Sequence, residues 1–128
     1  MDVVIIGAGQ AGAWVTRSLR ESGHGGNITL LGREAHAPYE RPALSKGVLS
    51  GAQEHPPVLL TSQQSDALRV DFRPSTEVVA IHRGDHEVRC SDGSVVRYDK
   101  LVLASGGHPR RLSCPGADLP NVYTLRTI

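Results

Sequence analysis

The sequence predicts an α/β fold: a parallel βαβ sheet with an antiparallel β-meander inserted before the last parallel strand. Three observations carry that reading. A wholly apolar, β-branched run, Val3-Val4-Ile5-Ile6, stops at a glycine-rich loop, Gly7-Ala8-Gly9-Gln10-Ala11-Gly12. A helical pattern and a second apolar run, Ile28-Thr29-Leu30-Leu31, follow within about thirty residues, the span of one βαβ unit. Later, short segments separated by turn sequences give way to a last apolar run, Leu101-Val102-Leu103-Ala104.

Apolar runs without polar alternation are the pattern of strands buried on both faces of a parallel sheet. The first helix is read from Ala11, Val15 and Leu19, four apart on one face, with Trp14 and Ser18 beside them. Gly23, Gly25 and Gly26 stop it. Arg33 to Pro57 has no clean periodicity and holds four prolines and two glycines. A loop that long inside a compact domain is usually functional. A short helix is expected near Ser62 to Leu68. Arg69 to Phe72, Glu77 to His82, Glu87 to Cys90 and Val95 to Tyr98 read as short β segments of the meander. Gly84-Asp85 and Ser91-Asp92-Gly93-Ser94 supply turns between them. Leu101 to Ala104 then rejoins the first sheet and runs into a glycine turn, Ser105-Gly106-Gly107.

Bulk properties narrow the function. At 128 residues, 39% hydrophobic and 21% charged, the chain fits one globular domain with a real core. Fourteen Lys and Arg against thirteen Asp and Glu leave a net charge of +1, which makes no electrostatic case for nucleic acid or an anionic membrane. No stretch of about 18 apolar residues and no basic leader is present, so a cytoplasmic protein is expected. Cys90 and Cys114 stand 24 residues apart, with no Cys-x-x-Cys and no His at ligand spacing. Ordinary reduced thiols and no metal site are expected.

The glycine loop carries chemistry. Gly7 lets the chain turn sharply off the strand, Gly9 lets backbone approach a pyrophosphate, and Gly12 lets the helix pack close to the sheet. The helix N-terminus then offers free N–H groups and a partial positive charge to phosphates. The spacing alone is a weak signal, but a strand before it, a helix after it and a second strand on schedule mark a Rossmann-like dinucleotide-binding unit. A ribose-binding acid belongs about 20 residues beyond the loop. Gly32, Arg33 and Glu34 occupy that place, so Glu34 is the candidate for a ribose hydroxyl, while Arg33 either stacks on adenine or is solvated.

Pro38-Tyr39-Glu40-Arg41-Pro42-Ala43-Leu44-Ser45-Lys46 mixes stiffening prolines, an aromatic and inward-aimable cations, which suits a diphosphate and an electron-rich ring. Together with Gly7 to Gly12 and Gly23-His24-Gly25-Gly26-Asn27-Ile28, it closely resembles the ferredoxin and rubredoxin reductases of bacterial oxygenase electron-transfer chains. Tyr98-Asp99-Lys100 through Gly107 resembles their second FAD motif, and Leu125-Arg126-Thr127 the motif just after it. The likeness spans essentially the whole chain and implies an FAD enzyme that takes electrons from NAD(P)H and passes them to a ferredoxin or rubredoxin partner. It implies that Gly7, Gly9, Ala11 and Gly12 line the diphosphate and that Arg41 contacts FAD. Lys46 is implied near the isoalloxazine ring, as the catalytic cation that stabilises negative charge on reduced flavin. Val78 is implied at the adenine end through its backbone, Ala104, Ser105 and Gly106 close over the cofactor, and Arg126 on its phosphates or ribitol. Two departures stand out. Arg33 occupies a place where the family usually has an acid, and Ser105 replaces the commoner Thr.

Reductases of this kind run to about four hundred residues. No second glycine fingerprint for NAD(P)H, later acidic FAD motif or C-terminal interface domain is present, so 1–128 reads as the N-terminal part of an FAD-binding domain, inactive alone. Two other readings stay open: a flavoprotein of the apoptosis-inducing-factor type, and a stand-alone NAD(P)-binding regulatory module. The second leaves Arg41 to Lys46 and Ala104 to Gly107 without a purpose.

Overall fold

In a computed structural model describing all 128 residues, β1 (Val3–Ile6) leads through the glycine loop into α1 (Gln10–Glu21) and back to β2 (Ile28–Leu31). A 3-10 turn (Arg41–Ser45) interrupts the long loop, and α2 (Ser62–Ala67) precedes β3 (Val70–Arg73). β4 (Val78–His82), β5 (Glu87–Cys90) and β6 (Val95–Arg97) are followed by β7 (Lys100–Leu103). β3, β2, β1 and β7 form one parallel sheet in that order, with Val3 opposite both Ile28 and Lys100. β4, β5 and β6 form a separate antiparallel sheet.

Strand alternation builds three layers. Val3, Ile5, Ile28, Leu30 and Val70 pack with Ala13 of α1 and Leu60 on one side of the parallel sheet. Val4 and Leu31 pack on the other side against Val88, Cys90 and Val96 of the antiparallel sheet. Both faces of β1 are therefore covered, and Val4 and Ile5 are 1% and 0% exposed. Each such side chain removed from water contributes about 1.5–3 kcal/mol, which fixes the register of β1.

The structure departs from the sequence pattern in two places. The sequence pattern places Arg69 to Phe72 in the antiparallel meander, but β3 pairs parallel with β2, Val70 opposite Ile28. It is an edge strand, so Asp71 and Arg73 can reach solvent between Val70 and Phe72, and its alternation imitates a hairpin strand. The face of α1 is also different. Gly12, Ala13 and Thr16 are its buried residues, Val15 and Leu19 pack at the margin, and Trp14 is 55% exposed. Small residues let α1 lie close to the sheet.

Two arginines tie α1 to the segments around α2. Arg20 donates from Nε to the Leu68 carbonyl at 2.6 Å and from Nη2 to that of Arg69 at 2.9 Å. Its Nη1 donates to the carbonyls of His24 and Gly26, the latter at 2.8 Å. Arg17 reaches the Leu59 carbonyl at 2.6 Å. The long loop is held at its base by Glu40 N–H donating to Pro57 and Leu59 N–H to Pro38, at 2.9 and 2.7 Å. No helix is long and apolar enough to cross a membrane.

Arg20 satisfies four carbonyls at once, so Arg20→Ala is expected to lower the unfolding free energy by about 2–3 kcal/mol in urea denaturation. A loss under about 0.5 kcal/mol would show that water replaces the guanidinium at no cost.

Candidate cofactor-binding site

The carboxyl ends of β1, β2 and β7 open together on one side of the parallel sheet, the place where ligands sit in open α/β sheets. There β1 turns into α1 through Gly7, whose φ of +111° is a conformation that favours glycine. A Cβ on Gly7 would stand 2.1 Å from the Ala104 carbonyl oxygen at the end of β7. A Cβ on Gly12 would stand 2.0 Å from the Gly7 oxygen and 3.2 Å from Leu30 Cδ1. Gly9 differs: a Cβ there would meet nothing within 4 Å. Two glycines make close contacts and one borders open space, as the three separate jobs of such a loop require. Gly9 caps α1 with no side-chain hydrogen bond and no acid lies in the first turn, so the first-turn N–H groups remain free for an anion.

That open space is a cleft of about 820 Å³, within the range of small-molecule and cofactor sites. Segments far apart in sequence converge on it. Gly7, Gly9 and Ala11 come from the loop, Arg33 and Glu34 from the end of β2, and Arg41 from the 3-10 turn. Val78 enters from β4, Ala104, Ser105 and Gly106 from beyond β7, and Arg126 from the C-terminal stretch. Gly12 lies buried behind the loop. Lys46 is not brought in: it is exposed just past the 3-10 turn and does not line the cleft. Ser75 and Thr76 N–H donate to the carbonyls of Glu34 and Gly32 at 3.0 and 2.7 Å, fixing the backbone beyond β2.

Three arginines and two glutamates face the cleft. Arg33 Nη1 lies 3.9 Å from Glu77 Oε1, both side chains being more than half exposed. Glu34, expected on the ribose, is engaged elsewhere. Arg41 Nη2 donates to its Oε1, and the Tyr39 hydroxyl donates to its Oε2 at 2.6 Å. Arg41 Nη1 also donates to the Tyr39 oxygen at 3.2 Å and to the Arg126 carbonyl at 2.8 Å. Ile128 N–H donates to Tyr39 at 3.3 Å. Burial pushes the Glu34 carboxyl up, but hydrogen bonds from Tyr39 and Arg41 and the Arg41 charge outweigh it and hold the group below its ordinary value. Burial, with the bond to Glu34, pushes the Tyr39 phenol up.

Tyr39, Gln10 and Glu77 also line the cleft, and the motifs assign none of them a role. An aromatic hydroxyl among loop charges was the one available signal, and it is only 4% exposed. The cysteines stay apart from the site: Cys90 is buried at the end of β5 and Cys114 is exposed, both free.

The profile of the pyridine nucleotide-disulphide oxidoreductase family matches residues 1–128. The chain belongs to that family. Among relatives, the ferredoxin reductase component of chlorobenzene dioxygenase from Cupriavidus sp. strain PS12 is 42% identical over 125 residues, covering 98% of this chain and 30% of the relative. Rhodocoxin reductase of Rhodococcus erythropolis is 42% identical over 128 residues, covering 99% and 30%. Among solved structures, the ferredoxin reductase for the CYP199A2 system of Rhodopseudomonas palustris superposes with a TM-score of 0.89 at 35% identity, covering 98% of this chain and 31% of that one. Putidaredoxin reductase, in its covalent complex with putidaredoxin, gives 0.82 at 42% identity, covering 88% and 27%. The chain thus spans less than a third of the length of these relatives. The Rossmann-like fold expected from the glycine loop is the fold of these neighbours.

Because the folded Glu34 carboxyl titrates below its ordinary value of 4.5, its stabilisation is complete above that value and fades as pH falls through the lowered one. Glu34→Gln is expected to cost about 1–2 kcal/mol at pH 7 and progressively less as pH falls through the lowered value, read from paired urea titrations at neutral and acid pH. Equal losses at both pH values would contradict the ion pair.

Proposed function

We propose that the cleft binds FAD and that residues 1–128 form the N-terminal part of the FAD-binding domain of an NAD(P)H-dependent ferredoxin or rubredoxin reductase, working in the cytoplasm. The convergence of the glycine loop, Arg41, the Ala104–Gly106 turn and Arg126 on one cleft carries the reading. A stand-alone NAD(P) module gives the last three no task. Support for the electron acceptor comes from relatives named as ferredoxin reductases at 39–42% identity.

The residues present fit the cofactor. Open space at Gly9 admits a pyrophosphate against backbone, and the uncapped N-terminus of α1 supplies donors and positive potential to it. Arg41, held by Glu34, Tyr39 and the Arg126 carbonyl, and Arg126 add cationic charge to the cleft, suited to bidentate phosphate recognition. Gly106, at φ +70°, lets the turn after β7 pass beside Arg126, whose Nη2 lies 2.9 Å from where a Cβ would be. The bound flavin supplies hydride acceptance and one-electron release. Val78 borders the adenine end in this reading. Lys46, exposed on a flexible stem, is assigned to the flavin ring by resemblance, since the cleft itself does not include it.

Gly9→Ala is expected to change folding stability by under about 1 kcal/mol, because its Cβ meets nothing, while weakening FAD about tenfold in a fluorescence-quenching titration. Unchanged FAD affinity in a folded variant would remove the pyrophosphate from the loop. Hydride transfer needs a nicotinamide held against the flavin, and these residues carry one glycine fingerprint. NADH-dependent dye reduction by residues 1–128 alone is therefore expected to be absent, and measurable turnover would refute that part of the proposal.

A further inference from the structure

This inference rests on the cofactor reading of the cleft and concerns how Arg41 is aimed. Sequence position assigns Glu34 to the adenosine ribose, as the carboxylate beyond β2. In the structure both of its oxygens are taken, one by Arg41 Nη2 and one by the Tyr39 hydroxyl at 2.6 Å. Arg41 is fixed on its other side by the Tyr39 oxygen and the Arg126 carbonyl, at 3.2 and 2.8 Å from Nη1. Its guanidinium carbon also lies 5.2 Å from the centre of the Tyr39 ring.

A guanidinium holds five N–H donors in a rigid plane. The three bonds that Arg41 donates leave two donors, on a side chain that lines the same cleft as the glycine loop. A side chain already immobilised loses less entropy when a ligand binds. The Arg41 and Glu34 side chains are 26% and 22% exposed, sheltered enough for their attraction to outlast solvent screening. With Glu34 occupied, the remaining carboxylate of the cleft is Glu77.

We infer that Glu34 and Tyr39 are positioning residues that hold the Arg41 guanidinium for the cofactor's diphosphate, and that Glu34 is not the ribose contact. A ribose ligand and a positioning residue respond differently to the 2′-hydroxyl and to the loss of Arg41. The test is a calorimetric titration of the chain and its variants with ADP and with 2′-deoxy-ADP. Glu34→Ala is expected to weaken both nucleotides equally, by about 5- to 30-fold, as does loss of a charge-assisted hydrogen bond. Arg41→Ala is expected to weaken both as well, and the double variant to bind no more than about twofold worse than Arg41→Ala alone. Tyr39→Phe, which changes no charge, is expected to weaken both nucleotides about threefold or more while the chain remains folded.

Loss of ADP binding with 2′-deoxy-ADP unaffected in Glu34→Ala would return Glu34 to the ribose. Losses that multiply in the double variant would make the two side chains independent, and tighter ADP binding in Glu34→Ala would make Glu34 a mere repeller of phosphate. Any of these overturns the inference while leaving the cofactor reading intact. If the unaltered chain binds neither ADP nor FAD, the cofactor reading itself falls and takes the inference with it.

Discussion

The site depends on how closely three backbone segments meet where β1 ends. The Gly7 Cα lies so near the end of β7 that a Cβ would stand 2.1 Å from a carbonyl oxygen, and Gly12 bears the same relation to Gly7 itself. These contacts bring the N-terminus of α1 down onto the edge of the sheet. Helix donors and a partial positive charge then face the space above the strands rather than bulk solvent. The buried face of α1, made of Gly12, Ala13 and Thr16, serves the same end. A bulkier face would raise the helix and move its N-terminus away from the cleft.

Charge is arranged around that geometry. Each carboxylate facing the cleft has an arginine beside it: Glu34 pairs with Arg41, and Glu77 lies near Arg33. The third arginine, Arg126, reaches the cleft from the far end of the chain and is tied to the long loop through its carbonyl, which accepts from Arg41. Two cleft-lining residues 85 apart in sequence are thereby joined by one guanidinium. A cleft lined by cations and by free helix donors is suited to a polyanionic ligand. Ile6 and Leu103 add apolar lining suited to flat rings.

Much of this was legible from residue order. β1 and β2 are the apolar runs Val3–Ile6 and Ile28–Leu31, because strands buried on both faces leave an unbroken hydrophobic signal. β5 also matches its expected bounds, and the glycine loop follows a known division of labour. β3 was misassigned because an edge strand alternates whether its partner runs parallel or antiparallel. The buried face of α1 was missed because glycine, alanine and threonine add little to a hydrophobic pattern, whereas exposed Trp14 adds much. The pairing of Glu34 with Arg41 had no sequence signal at all. The two residues are seven apart in an aperiodic loop, and only the path of the chain past Tyr39 brings them together.

On the proposed reading the cleft grips the ADP portion of a flavin dinucleotide. Competition between ligands tests it most directly, with FAD fluorescence in the presence of this chain as the signal. ADP is expected to displace FAD, while FMN, which has the flavin but not the adenosine diphosphate, is expected to leave FAD bound at the same concentration. Displacement by FMN and not by ADP would place the recognition on the ring system and contradict the account.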